Sequence, residues 1–574
     1  MQKFFPFLKW VPTYNWAFLK KDIFAGLTVA IILIPQAMAY AMIAGLPPVY
    51  GLYASLFPLL IYSFLGTSRQ LAIGPVAMDS LLVAASLGAL AITGIENYIA
   101  MAIFLAFLVG SIQLILGVFR MGFLVNFLSK PVISGFTSGA ALIIIFSQVK
   151  HILGTEVENS PQFVKLVGNV FTKIGETNMY DLVIGLSAII LIILLKKWNK
   201  RIPAILLAVL VGVLLVYSLH LDINGIKIVG EIPTGLPSFI VPQISFENII
   251  NMWPIALTIA LVGYLEAISI STALEEKNNE NNLDANQELI AIGTSNLVGS
   301  FFQSYPVTGS FSRSAISGEA GGKTNLSGFF TMILVVITLF FLAPLFYYLP
   351  KAVLGAIIMV SVFGLLDVSY PKKLWKNRKD EFLVLFLTFL ITLFIGIPQG
   401  ILTGVLISLL LMVYRTSKPH FAELGNIKNS DYYKNVDRFG DEIIVRDDLL
   451  IVRFDSQLYF GNKKYFREEL YKYIAAKGNT LKGVILNAEA INYIDSSAAT
   501  MLVQIIDELH ERDLLFIIAG AIGPTRDIIF NSGIINALDK NFLFVKTKEA
   551  VDFFDNPENV NLLRDKVALQ KNSS

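Results

Sequence analysis

The sequence predicts an α-helical polytopic membrane protein, with about fourteen elements in a seven-plus-seven inverted repeat and two half-helices, followed by a C-terminal α/β domain. Three observations carry this. The 574 residues are 55% hydrophobic and 15% charged, with a mean hydropathy of +0.64, unlike a soluble chain of this length. Two stretches, Leu71-Ala72-Ile73-Gly74-Pro75-Val76-Ala77-Met78-Asp79 and Ser304-Tyr305-Pro306-Val307-Thr308-Gly309-Ser310-Phe311-Ser312-Arg313-Ser314, interrupt membrane-grade sequence with Gly and Pro and then run into helix-compatible segments. After Lys418 hydrophobicity falls, charge rises, and the spacing becomes that of a small α/β domain.

Composition removes several function classes. A net charge of +2 is too small to suggest a nucleic-acid partner. Cys is absent, which excludes disulfides, thiolate chemistry and Cys-based metal sites. The four His fall in no metal-ligand spacing, so neither metal nor cofactor is expected. There is no nucleophile–base spacing and no P-loop, so the chain reads as neither an enzyme nor an ATP-driven pump.

Lys3, Lys9, Lys20 and Lys21 precede the first long apolar run. That run spans a bilayer and lacks a small-residue cleavage site, so it reads as a retained helix rather than a signal peptide. The spans expected in the first half are 24–44, 52–65, 98–118, 132–149, 181–195 and 204–219. Those of the second are 253–273, 288–302, 326–348, 352–366, 382–395 and 401–414. The two half-helices complete the set. Several spans are short, as expected of elements buried in protein rather than facing lipid.

The halves repeat. Gln36 lies about thirteen residues into the first span and Glu266 about thirteen into the span that opens the second half, with Pro75 and Gly309 each about forty residues further on. The common offset of roughly 230 residues indicates an inverted repeat. Basic residues set the orientation. Arg69, Arg120, Lys196, Lys197, Lys200, Arg201, Lys277, the run from Lys372 to Lys379, Arg415 and Lys418 fall on one side, which the positive-inside rule makes cytoplasmic along with both termini.

The expected domains are a membrane domain over 1–418, a linker over 419–440, a cytoplasmic domain over 441–556 and a flexible tail over 557–574. In the cytoplasmic domain, 449–454, 483–486 and 514–518 read as buried strands, and 498–510 and 548–554 as helices.

A half-helix starting inside a bilayer exposes backbone N–H groups carrying about +0.5 charge. Two such starts facing each other form a cage for an anion. At these residues the chain resembles the sulfate permease (SulP) family of anion transporters. The resemblance is carried by Ile34-Pro35-Gln36-Ala37-Met38-Ala39-Tyr40-Ala41, Pro48-Val49-Tyr50-Gly51-Leu52-Tyr53 and Gly66 through Ala77 in the first half. In the second it is carried by Gly263-Tyr264-Leu265-Glu266-Ala267, Asp284-Ala285-Asn286-Gln287-Glu288-Leu289 and Pro306 through Ser314. The tail is similar to a STAS domain through Asn492-Tyr493-Ile494-Asp495-Ser496-Ser497-Ala498-Ala499. The resemblance implies a mobile core and a scaffold with the anion between the half-helix starts, a homodimer, and a STAS domain that aids assembly and regulation. Asp79 departs from the family pattern, which usually has an apolar residue there, so no role carries over to it.

Each candidate residue has a functional and a plainer reading. Val76, Ala77 and Met78, with Phe311, Ser312 and Arg313, would offer N–H groups to the anion, and the Ser312 hydroxyl a further donor. Gln36 and Tyr40, one helical turn apart, would face the same cavity, although helix–helix hydrogen bonding also accounts for them. Arg313 would supply positive potential, and its alternative is an ion pair with Glu266 or Asp79. Glu266, deep in an apolar span, is the candidate for proton coupling, and its alternative is permanent neutralisation of Arg313. Ile270, one turn on, offers no hydroxyl of the kind a sodium-coupled member would use. Asp79 is expected to point away, toward the scaffold or cytoplasm. Ser496 and Ser497 are possible regulatory positions, because a serine of this motif accepts phosphate in related anti-sigma antagonists; helix N-capping is the plainer account.

The function expected is proton-coupled sulfate uptake by alternating access, in a multi-pass protein of the plasma (inner) membrane whose partners are sulfate, protons and the lipid bilayer. Two half-helix starts and Arg313 together supply about +2, which suits a dianion. Transport or exchange of bicarbonate, chloride or dicarboxylates stays open, as does an anion-binding voltage-responsive or signalling role.

Overall fold

The computed structural model describes residues 5–556 apart from 91, 93, 124–128, 158–162, 200–201, 224, 279–282 and 365, so the expected tail over 557–574 lies outside the described residues. The chain divides into two compact units, Met1–Ser408 and Leu409–Ser574.

The first unit carries the helices of the two halves, the last of which runs on past Ser408. The first half runs α1 (Trp16–Ile43), α2 (Phe57–Leu65), β1 (Ile73–Gly74), α3 (Ala77–Ala89), α4 (Ile95–Val118), α5 (Lys130–Leu153), α6 (Met179–Trp198) and α7 (Ala204–Leu219). The second runs α8 (Phe246–Asn278), α9 (Ala285–Ser300), β2 (Thr308–Gly309), α10 (Phe311–Glu319), α11 (Leu326–Ile337), α12 (Lys351–Phe363), α13 (Lys379–Phe394) and α14 (Ile397–Ser417). Among the described residues, seven helices are long and apolar enough to cross a bilayer, and several others are shorter apolar helices packed between them. The expected span 326–348 is not one regular helix. It rewinds into a π-turn over Thr338–Leu342 and a 3-10 turn over Ala343–Phe346, where Pro344 has no N–H to continue the ladder.

Packing sorts these helices into two groups. The half-helices α3 and α10 both pack on α1 and α8, within a group that also holds α2, α4, α9 and α11, and α3 additionally touches α5 of the other group. Helices α4 and α9 cross closely enough that a Cβ on Gly110 would lie 2.4 Å from the Leu297 nitrogen. In the other group α5 packs on α12 and α13, and α6 on α5, α7 and α12. Two buried carboxylates lash the loops beside the half-helices. Glu288 on α9 accepts from Thr67 N at 2.6 Å, Thr67 Oγ1 at 2.5 Å, Ser68 N at 3.0 Å and the Tyr62 hydroxyl at 2.8 Å. Asp22 on α1 accepts from Lys323 N at 2.6 Å, Thr324 N at 3.1 Å and Thr324 Oγ1 at 2.6 Å. In each case a carboxylate from one half secures a loop of the other, meeting the loop's N–H groups where water cannot.

The second unit is an α/β domain. Its sheet comprises β3 (Phe421–Ile427), β4 (Tyr433–Asn435), β5 (Ile443–Ile444), β6 (Leu449–Phe454), β7 (Gly483–Asn487), β8 (Leu515–Ala519) and β9 (Leu543–Phe544). The order is β4-β3-β6-β7-β8-β9, with β5 also on β3; β6 to β9 pair in parallel and β3 pairs antiparallel to β6. The helices α15 (Lys463–Lys477), α16 (Ser496–Glu511), α17 (Gly523–Asn531) and α18 (Thr547–Phe554) accompany it. The apolar runs Leu449–Val452 and Leu515–Ala519 are buried, as central parallel strands require. The stretch 419–440, expected as a linker, instead supplies β3 and β4. Phe421 packs against Phe454 and Phe466, so the domain's core begins well before residue 441.

Candidate anion site

The two Gly/Pro interruptions meet. Ile73 pairs with Gly309 and Gly74 with Thr308, an antiparallel contact that brings β1 and β2 side by side. Ser310 N donates to Ala72 O at 3.0 Å, and Ala72 N donates to Ser314 Oγ at 2.8 Å. This short ladder satisfies backbone groups that would otherwise be stranded at membrane depth. It also fixes the starts of α3 and α10 relative to each other. Gly74 has φ +145°, which favours glycine, and a Cβ there would lie 3.3 Å from Arg313 Nη2, a tight approach.

At both starts the N-cap residue, Val76 or Ser310, makes no side-chain cap. No side chain therefore covers the first N–H groups of either helix, the arrangement that suits an anion at a helix start. A cavity of about 540 Å³ opens beside them. Val76, Ala77 and Met78 line it from α3, and Ser310, Phe311 and Ser312 from the start of α10. Gln36 and Tyr40 line it from α1, and Glu266 from α8. Gln36 is 2% exposed and its Oε1 has no hydrogen-bond partner. The structure thus brings together eight of the nine residues read as anion-binding or proton-coupling.

Arg313 is the ninth, and it does not line the cavity. Its side chain is fully buried, Nη1 donates to Pro75 O at 2.9 Å, and Nε and Nη2 have no hydrogen-bond partner. Tyr40, Tyr305 and Glu266 are within its electrostatic reach. Its place in the first turn of α10 turns the guanidinium back across the ladder, so it lies behind the half-helix starts and off the cavity wall.

Asp79 is also placed differently from expectation. It is 1% exposed, its Oδ1 has no hydrogen-bond partner, and its Oδ2 lies 3.3 Å from where a Cβ on Gly263 would stand. It therefore packs inward against α8, within electrostatic reach of Glu266, instead of facing the scaffold or cytoplasm. The absence of a side chain at Gly263 makes that space, a relation between distant positions that no local pattern reveals. Sequence reasoning also missed Lys196 and Ser361 as cavity-lining residues. Lys196 was visible only as one of a basic cluster after a span.

In the second unit Asp495, not a serine, caps α16. Its Oδ1 accepts from Ala498 N at 2.7 Å and its Oδ2 from Phe460 N at 2.8 Å. Ser496 stands exposed at the first helical position, and Ser497 Oγ is buried with no hydrogen-bond partner.

Residues 19–388 match the model of the sulfate permease family, and residues 442–551 that of the STAS domain. Sulfate transporter 4.1, chloroplastic, of Arabidopsis thaliana is 39% identical over 568 residues, covering 95% of this chain and 82% of that protein. A Mycobacterium tuberculosis protein named as a probable sulfate transporter is 34% identical over 541 residues, covering 94% and 96%. The solved structure of the murine Solute Carrier 26 family member A9 anion transporter, in its inward-facing state, matches with a TM-score of 0.89 at 28% identity, covering 96% of this chain and 94% of that one. The transmembrane domain of the cyanobacterial bicarbonate transporter BicA shares the fold, with a TM-score of 0.60 at 21% identity, over 69% of this chain and 98% of that one.

Proposed function

We propose that this chain, which belongs to the sulfate permease family and is a multi-pass membrane anion transporter with a C-terminal STAS domain, imports sulfate together with protons. The observation that carries the reading is the pair of uncapped half-helix starts facing one cavity, with Glu266 on the same wall. The N–H groups of Val76, Ala77, Met78, Phe311, Ser312 and Arg313 hold the oxyanion, and Gln36, Tyr40 and the Ser312 hydroxyl orient it. Arg313 adds positive potential from behind. With about +0.5 from each start, the site suits two negative charges once Glu266 is protonated.

Glu266 supplies the coupling. Ionised, it repels an anion at the half-helix starts; protonated, it admits one, so anion and proton move in the same direction. Alternating access is supported by the two helix groups, with the half-helices packed on α1 and α8 while α5, α6 and α12 line the same cavity from the other group. The protein resides in the plasma (inner) membrane with both termini in the cytoplasm, and it works as a homodimer. The STAS domain assists assembly, with Ser496 or Ser497 as a phosphate-accepting regulatory position.

Radiolabelled sulfate uptake into proteoliposomes tests this. Accumulation should follow an inward proton gradient and collapse without it. Selenate and molybdate, tetrahedral dianions like sulfate, should compete, while bicarbonate, chloride and fumarate should compete poorly. Bicarbonate or chloride displacing sulfate at equal concentration, with selenate inert, would replace sulfate with a monoanion and leave the cage standing.

A further inference from the structure

We propose that Lys196 is an anion-capture residue at the cytoplasmic mouth of the cavity, offering its ammonium group to an inorganic oxyanion as it enters or leaves. This rests on the reading of the cavity as the anion path. Among the described residues that line it, Lys196 and Glu266 alone carry a charged side chain. Arg313, the cation the sequence places at the site, is buried behind the half-helix starts and turned toward Pro75 O. An anion in the cavity therefore meets a cationic side chain at Lys196.

Position gives Lys196 its specific task. It lies in the last turn of α6, with Ile202 and Pro203 beside it on the cavity wall, at the membrane face that the basic residues mark as cytoplasmic. The half-helix starts lie at depth. Because α6 packs on α5, α7 and α12, and α3 and α10 pack with α1 and α8, Lys196 and the cage belong to different helix groups. A shift of one group against the other changes their separation, so Lys196 serves the anion in the state open to the cytoplasm. Placed at the mouth, its charge raises the local anion concentration and stays sensitive to salt.

The plainer account is that Lys196 merely reaches for the interface and balances the α6 dipole. Lys197 would do that equally well, and both lysines reach solvent, yet Lys196 lines the cavity and Lys197 does not. The adjacent lysine is thus a built-in control.

The test uses the full-length protein in inside-out and right-side-out vesicles, with radiolabelled sulfate and the variants Lys196→Gln, Lys196→Arg and Lys197→Gln. Lys196→Gln should raise KM at the cytoplasmic face about fivefold to tenfold, leaving kcat and the outer-face KM within about twofold. High salt should shrink the difference, Lys196→Arg should bring KM back to the wild-type value, and Lys197→Gln should match wild type. An unchanged cytoplasmic KM in Lys196→Gln, or equal shifts in the two Gln variants, would overturn the proposal. Failure of the underlying reading is separate, since wild type is scored first. If it moves bicarbonate or chloride rather than sulfate, the sulfate assignment falls and Lys196 is scored with that anion. A wild type that moves no anion overturns both.

Discussion

Arg313 Nη1 donates to the carbonyl oxygen of Pro75 at 2.9 Å, tying the first turn of the second half-helix to the residue just before the N-cap of the first. One guanidinium thus joins the two inverted halves at the point where their helix starts face each other. Charge and architecture are combined in this contact. Removing the side chain takes away both a buried positive charge and a strut between α3 and α10.

Arg313→Ala should therefore cut sulfate transport by about tenfold to a hundredfold, the scale of a lost charge-assisted hydrogen bond of about 1.5–3 kcal/mol. Arg313→Lys should rescue only in part, because an ammonium keeps the charge but not the planar reach to Pro75 O. Initial uptake rates, normalised to folded protein by size-exclusion profile, check this. Wild-type rates in Arg313→Ala would remove the residue from the site.

Glu266→Gln mimics the protonated state. Exchange of sulfate for sulfate should survive while accumulation on a proton gradient is lost. Counterflow and pH-driven uptake, measured on the same proteoliposomes, separate the two. Continued accumulation would move the coupling role to another group, with Asp79, buried beside it, the next to test.

Glu288→Gln should destabilise the membrane unit without changing anion preference. Its carboxylate accepts four hydrogen bonds from Thr67, Ser68 and Tyr62. An amide presents one acceptor oxygen, so at least one buried donor is orphaned at a cost of about 1–3 kcal/mol. The melting temperature in detergent should fall, while relative competition by selenate and bicarbonate stays the same.

Removing the STAS domain should lower expression, dimer stability or turnover and leave selectivity intact, but the cut matters. Truncation at Asp441 would leave β3 and β4 without β6, their edges unpaired. A cut after Lys418 removes the whole sheet. The Asp441 product should aggregate more on size-exclusion chromatography than the Lys418 product. Changed anion preference in a folded Lys418 truncation would contradict a purely assembling and tuning role.

Acid should unpick one corner of that domain. The Arg446 guanidinium, hydrogen-bonded to Asp448 at 2.8–2.9 Å, holds the Asp448 carboxyl below the usual carboxylate range. A lowered folded-state pKa adds stability that is present at neutral pH and lost as pH falls through it. Arg446 also pairs with Asp555 at 2.5 Å, so Arg446→Gln loosens both contacts. Thermal melts of the STAS unit should show wild type above Arg446→Gln at pH 7, with the gap narrowing toward pH 3. A gap independent of pH would assign the effect to packing alone.

Local chemistry in the chain was enough for much of this. Apolar run lengths located the spans, and Gly-Pro interruptions at matching offsets located both half-helices. Val76, Ala77, Met78, Phe311, Ser312, Gln36, Tyr40 and Glu266 followed from those starts and from helical spacing, and all of them line the cavity. These features depend on neighbours in sequence, through period, turn chemistry and backbone hydrogen bonding. What only the tertiary structure decided involves partners hundreds of residues apart. Arg313 turns behind the cage because Gly74 leaves room for it, and Asp79 turns inward because Gly263 does. Lys196 reaches the cavity because α6 packs on α5, α7 and α12. The stretch after Lys418 becomes a strand, not a linker, because β6 offers it an edge and Phe454 and Phe466 a pocket for Phe421. Side-chain direction at such positions is set by the space and the hydrogen-bond donors that another element happens to present, and a sequence pattern carries no record of either.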